Sequence, residues 1–196
     1  MHIDLKPIPT GEHYGLPREP FNFDSVLTWT SALDEARRLE SREIDTCHFL
    51  IAFLSTKATL GEDIQSIFGL INKSELELKN GLAYRALRSL GATHRHMRRH
   101  LLEIVGYGDK PHKITKLVGR IPLDERPLSA RASLAAKRAV AWAQKLGATE
   151  IGDEHLLLAI LDEPDEVVSD VLSGMNIDAD KLRQATLELV KQSLTQ

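Results

Sequence analysis

Two stretches of this chain carry the same text, and a chain built from two copies of one unit has few ways to fold. Setting His48 over His155 also sets Ala32 over Ala139, Ala36 over Ala143, Leu39 over Leu146, Ile44 over Ile151 and Leu54 over Leu161. The shared pattern is an Ala-x-x-x-Ala-x-x-Leu segment, a short turn ending in Ile, then His and an apolar run. The first copy runs from Phe21 to about Leu90 and the second from Leu128 to about Leu194. After a three-residue difference in length, Ile67-Phe68 falls over Val171-Leu172, Asn72 over Asn176 and Leu78 over Leu182.

Each copy reads as four helices. Helix one of the first copy begins after Asn22, a good N-cap, and carries Val26, Trp29, Leu33, Ala36 and Leu39 at three- and four-residue spacing. Its counterpart begins after Ser129 and carries Leu134, Arg138, Val140 and Trp142, with Ala135, Ala139 and Ala143 as a face that admits a close neighbour. Helix two starts at Thr46 or Asp153 and runs through Phe49–Leu54 or Leu156–Leu161. An apolar run on all sides implies burial on all sides. Helix three is expected at about Asp63–Phe68 and Asp165–Ser173, and helix four near the caps Ser74 and Asp178. No alternating run bounded by turn residues suggests a strand.

Composition narrows the function classes. With 42% apolar and 27% charged residues the chain can bury a core, and a net charge of −3 gives no general reason to bind nucleic acid or an anionic membrane. No apolar run approaches a bilayer span, so no membrane association is expected. The first 20 residues, with four prolines and no apolar h-region, read as an extended arm rather than a secretory signal. A single cysteine, Cys47, excludes an intrachain disulfide and fits a reducing compartment, expected to be the cytoplasm, with an organelle stroma after transit-peptide removal also open. There is no G-x-x-x-x-G-K-[ST] loop, no G-x-S-x-G and no H-E-x-x-H, so nucleotide-driven, serine-hydrolase and zincin chemistry have no sequence support. No cofactor or metal is expected, and the chain is read as non-catalytic.

Between the copies lies a basic segment. From Ala83 to Arg120 nine Lys or Arg face only Glu103 and Asp109, and His94, His96, His100 and His112 add charge as pH falls. Thr93 to Val105 can form a helix with Met97 and Leu101 on a narrow apolar stripe. The segment reads as a solvated helix over the repeat junction, as a docking surface of Arg95, Arg98 and Arg99 for an acidic protein, or as a contact to nucleic acid. Nucleic acid is the least supported of the three, since the helix-forming stretch Thr93 to Val105 has no Phe, Tyr or Trp among its charges and the segment has no recognised reading motif.

The segment Leu146 to Leu161, L-G-A-T-E-I-G-D-E-H-L-L-L-A-I-L, closely resembles the Clp-N repeat signature L-G-x-x-x-I-G-T-E-H-L-L-L-x-L-L. The first copy, Leu39 to Leu54, resembles it less, with Asp45-Thr46-Cys47-His48 in place of Gly-Thr-Glu-His. Two such repeats form the N-terminal domain of Clp-type AAA+ unfoldases and some stand-alone Clp accessory proteins. The resemblance implies an all-α fold of two pseudo-twofold-related four-helix Clp-N repeats, an eight-helix bundle, with an extended basic spacer that can be partly helical. The division expected is an arm over 1–20, one repeat over 21–90, a spacer over 91–127 and a second repeat over 128–196.

It also implies a chaperone-type adaptor or accessory module for ATP-dependent proteolysis, whose partners are Clp ATPase or peptidase subunits, adaptors or substrate proteins. In some members the glutamate of each T-E-H motif and the Thr that begins helix one bind phosphorylated arginine. By position those are Glu154 with Ser129 in the second copy and Cys47 with Asn22 in the first. The second copy keeps a carboxylate and a hydroxyl, while the first has no carboxylate to receive a guanidinium. Phe21 and Leu128, just ahead of the helix-one caps, can form an apolar rim to such a site or a hydrophobic staple onto their own helices. The alternative function is a nucleic-acid-associated factor that binds through the basic spacer.

Overall fold

The computed structural model describes residues 21–55, 81–106 and 126–194. Eight helices lie among them: α1 (Phe23–Arg38), α2 (Thr46–Ala52), α3 (Leu82–Ser89), α4 (His94–Val105), α5 (Ala130–Leu146), α6 (Asp153–Asp162), α7 (Glu166–Gly174) and α8 (Ala179–Leu194). The only strand-like pairings among the described residues are two isolated parallel bridges, Phe21 with Ile151 and Ile44 with Leu128.

Local chemistry sets each helix. The Asn22 side chain accepts from the Ser25 N–H at 2.9 Å and starts α1, and Ser129 accepts from the Ala132 N–H at 3.0 Å and starts α5. Ala32 and Ala36 on α1, and Ala132, Ala136 and Ala139 on α5, are fully buried, so each helix one lies close against its helix two. Every residue of α2 is buried, as are Asp153 and all residues from His155 to Leu161 on α6. These two helices are the centre of the bundle. Gly147, with φ of 71°, ends α5 in the left-handed conformation that costs glycine least.

The packing obeys a pseudo-twofold. α1 lies on α2 as α5 lies on α6, and α1 meets α6 as α5 meets α2. α3 packs on α8 and α6, as α7 packs on α4 and α2, while α4 meets α2 as α8 meets α6. His48 and His155 stand at matching places, each with Nδ1 accepting a backbone N–H at 2.8 Å, from Asp45 and Gly152 respectively.

The expected third and fourth helices of the first copy, at 63–68 and from Ser74, lie outside the described residues, as do the expected arm and residues 107–125 of the expected spacer. The helices that match α7 and α8 are α3 and α4. Ala83, Ala86 and Leu87 stand where α7 has Val168, Val171 and Leu172, and Met97 stands where α8 has Leu182. Both connecting turns close alike: the Ala92 N–H donates to the Leu87 carbonyl and the Ile177 N–H to the Leu172 carbonyl. Gly91 (φ 84°) and Asn176 (φ 56°) take the same left-handed place.

The basic helix α4 is packed into the bundle, against α2 of the first copy and α7 of the second. Met97 and Leu101 are completely buried, which stabilises the fold by about 1.5–3 kcal/mol each. A buried carboxylate holds the helix from the other side. Glu35 on α1, 3% exposed, has His94 and Arg98 of α4 within 3.4 Å and Arg38 at 3.8 Å. Burial pushes the Glu35 carboxyl up, but the His94 hydrogen bond and the charges of Arg98, His94 and Arg38 outweigh it and leave it below the usual range.

Candidate functional site

The two bridges decide what lies beside what. The Asn22 N–H donates to the Ile151 carbonyl at 3.0 Å, so the start of α1 sits against the start of α6. The Ser129 N–H donates to the Ile44 carbonyl at 3.0 Å and the Ile44 N–H to the Pro127 carbonyl at 2.9 Å, so the start of α5 sits against the start of α2. Each corner thus joins helix one of one copy to helix two of the other. The expected pairings were within a copy, Glu154 with Ser129 and Cys47 with Asn22. The structure exchanges the partners: Asn22 lies beside the Glu154 segment and Ser129 beside the Cys47 segment.

The α2–α5 corner is closed on itself. Asp45 caps α2, and its Oδ1 accepts from the Thr46 N–H at 2.8 Å and from the Ser129 hydroxyl at 2.6 Å. The Thr46 hydroxyl donates to Oδ2 of Asp165, the N-cap of α7. Arg131 lies between the two carboxylates, 3.4 Å from Asp45 and 3.7 Å from Asp165. Its guanidinium takes up the negative charge that an incoming cation would need. Cys47 is buried, and burial, with Asp45 and Asp165 nearby, pushes its thiol up to about 12. It is a packed, protonated thiol, not a nucleophile.

The α1–α6 corner has the opposite character. Asp24 stands where the other corner has Arg131, and Asp153 and Glu154 stand where it has Thr46 and Cys47. Asp153 is buried, and its carboxyl is held well above the ordinary range by burial first, then by the charge of Glu154 and their hydrogen bond. Its Oδ1 accepts from the Ala83 N–H at 3.5 Å. Glu154, with 12% of its side chain exposed, lies 3.3 Å from His155 Nδ1. That contact is not an ion pair, because the same nitrogen accepts the Gly152 N–H and burial lowers the His155 pKa. A Cβ on Gly152 would collide with the Glu154 carboxylate, which is folded back over the start of its own helix.

Other predicted residues fall as follows. Phe21 turns edge-on to Trp29 of its own α1, centroids 6.0 Å apart, and both Phe21 and Leu128 pack partly against the core. Trp29 also meets Phe49 at 4.6 Å, and Trp142 packs partly against the core with its Nε1 donating to Asp162 at 2.7 Å. Leu134, expected to face inward, is 45% exposed. The side chain of Val26 lies outside the described residues. On α4 the predicted trio divides: Arg95 is exposed, Arg98 turns in to Glu35, and Arg99 approaches Glu103 at 3.7 Å.

Residue-by-residue reading missed the cluster of Asp45, Thr46, Asp165 and Arg131. Asp165 was legible as a helix start, whereas the start of helix two was expected at Thr46 and its cap is Asp45, and the convergence of the two carboxylates is tertiary. Among the described residues no group of three or more His, Cys, Asp or Glu could hold a metal ion, and no helix is long and apolar enough to cross a membrane.

Comparison with known proteins agrees with this geometry. A family model described as Clp repeat (R) N-terminal domain matches residues 127–195. The chaperone protein ClpB of Oceanobacillus iheyensis is 27% identical over 163 residues, 83% of this chain and 16% of that protein. The negative regulator of genetic competence ClpC/MecB of Bacillus subtilis is 26% identical over 164 residues, 84% of this chain and again 16% of that protein. The chain therefore spans only a small part of the length of these relatives. Among solved structures, the N-terminal domain of the chaperone ClpD from Arabidopsis thaliana superposes with a TM-score of 0.60 at 16% identity, covering 87% of this chain and 94% of that one. The Hsp104 N-terminal domain from Candida albicans gives 0.56 at 17% identity, over 87% of this chain and 91% of that one. These likenesses establish the fold.

Proposed function

We propose, from the premise that this chain carries a Clp repeat N-terminal domain with residues 127–195 as its second repeat, that it is a non-catalytic module that grips polypeptides for Clp-type ATP-dependent proteolysis. The described part of the first repeat is then 21–55 with 81–106. Its ligands are substrates or adaptors, and its larger partners are Clp ATPase or peptidase subunits, in the cytoplasm or an organelle interior. The observation that carries this reading is the contrast between the corners. Arg131 satisfies the carboxylates of one, while the other gathers Asp24, Asp153 and Glu154 with no arginine at the matching place.

The α1–α6 corner is suited to a cationic side chain of an extended polypeptide. Glu154 supplies a carboxylate for a guanidinium, and protonated Asp153 supplies polarity without a second full charge. For phosphorylated arginine, the guanidinium end fits Glu154, and the phosphate must turn outward, away from Asp24. The test uses the whole chain with fluorescent peptides that carry arginine, phosphoarginine or glutamine at one position. Arginine-type peptides bind, and Glu154→Gln weakens them roughly tenfold while the glutamine peptide is unaffected. Equal binding of all three peptides, or no loss in the variant, rejects the corner as the grip. Retention of Clp ATPase or peptidase subunits on the immobilised chain tests the link to proteolysis.

A further inference from the structure

A second surface lies away from both corners, where α3 packs on α8. Tyr84, Arg85 and Arg88 of α3 and Ala185, Glu188 and Leu189 of α8 line an open groove of about 570 Å³. The pseudo-twofold explains why it is open. On the matching side, α4 packs on α7 and the imidazole of His100 lies against Gly174, so close that a Cβ there would fall 3.2 Å from Nδ1. Ala185 stands where α4 has His100, and Ser89 where α7 has Gly174. The ring that fills one half of the molecule is missing from the other.

The charge of the groove is as particular as its shape. Its lining holds two arginines, Arg85 and Arg88, in a chain whose net charge is −3. Arg85 is exposed and makes no ion pair among the described residues. Arg88 is fixed by one donor, Nη1 to the Ala92 carbonyl at 2.8 Å, and its other donors remain for a ligand. Opposite them Glu188 is the one acid in the lining, and Tyr84 and Leu189 supply an apolar floor that is partly buried against the core.

The geometry points to an acidic polypeptide segment as the occupant, with one apolar side chain over Tyr84 and Leu189 and carboxylates toward Arg85 and Arg88. Two guanidiniums can each fork to a carboxylate, and the apolar floor separates such a segment from a simple polyanion. This site is independent of the α1–α6 corner, which is acidic and takes the opposite charge.

The experiment measures fluorescence anisotropy of a labelled peptide of about a dozen residues, Glu and Asp with two Leu, on the full chain at low and moderate salt. Binding weakens roughly tenfold in Arg85→Glu and in Ala185→His, which restores the filling ring of the other half, and falls with added salt. Glu154→Gln leaves it unchanged, so this result stands or falls apart from the corner reading. The inference is overturned if Arg85→Glu binds as well as the parent, or if the same peptide with Lys for its acids binds equally. It is also overturned if a short single-stranded oligonucleotide binds more tightly and displaces the peptide, since the surface is then a nucleic-acid contact. Arg85 is solvent-exposed, so its variant folds and carries the test even if Ala185→His does not.

Discussion

Asp153 shows how one buried group sets the character of a site. Its carboxyl is buried beside Glu154, so the folded state holds a proton that the unfolded chain releases in the ordinary carboxylate range. The sign follows: a raised folded pKa means that stability is full below the ordinary value and falls as pH rises toward the folded value. An asparagine in place of Asp153 would copy the protonated form, with its carbonyl facing the Ala83 N–H and its amide donating to Glu154. Asp153→Asn is therefore expected to match the parent near pH 4 and to melt higher at about pH 7.5. Thermal unfolding of both proteins across that range decides it, and a difference that stays constant with pH would mean that Asp153 is ionised in the fold. Glu35 has the opposite bias although it too is buried, because His94, Arg98 and Arg38 face it. Burial alone does not decide a carboxyl's charge; its neighbours do.

Between residues and the whole, the helices and turns record the duplication unevenly. The first two helices of each copy were legible because identity persists where packing is tightest: Ala32 and Ala36 match Ala139 and Ala143, and His48 and His155 cap in the same way. Further on, the helix from Thr93 to Val105 with Met97 and Leu101 on its buried stripe was legible, but its correspondence to α8 was not. There the match lies in backbone shape: Leu90 and Met175 end helices with φ of −96° and −95°, and Thr93 and Asp178 both cap the next helix. Thr and Asp, or Gly and Asn, are different letters for one conformation. The caps Asn22 and Ser129 could be read from sequence, but not the exchange of their partners, which depends on two backbone bridges between copies. The shared turn gives a clean test, since a Cβ on Gly91 would meet nothing within 4 Å and only its φ of 84° matters. Gly91→Ala should cost about 1 kcal/mol, and Asn176→Gly should stabilise by up to about 1 kcal/mol. Urea unfolding measures both; a neutral Gly91→Ala would show that the two turns do not share a conformation.

At the scale of the molecule, the exchanged packing makes each copy incomplete. Helix α7 lies on α4 and α2 of the first copy, and α8 lies on α3. Val168, Val171, Leu172 and Leu182 are all buried, and the three on α7 stand on the helix whose neighbours include those elements. Re-exposing such side chains costs about 1.5–3 kcal/mol each, and a few of them equal the whole stability of a domain this size. The corners impose the same dependence: Ser129 needs the Ile44 carbonyl, and Asn22 needs that of Ile151. So the chain should unfold in one transition by circular dichroism and by tryptophan fluorescence, with Trp29 reporting on one copy and Trp142 on the other. The second copy alone, residues 126–196, should keep helical signal yet bind a hydrophobic dye and melt without a cooperative midpoint. A fragment that melts sharply at the parent's temperature would show that the copies are separate domains. Even then neither half would keep the α1–α6 corner, because its backbone bridge joins Asn22 of one copy to Ile151 of the other.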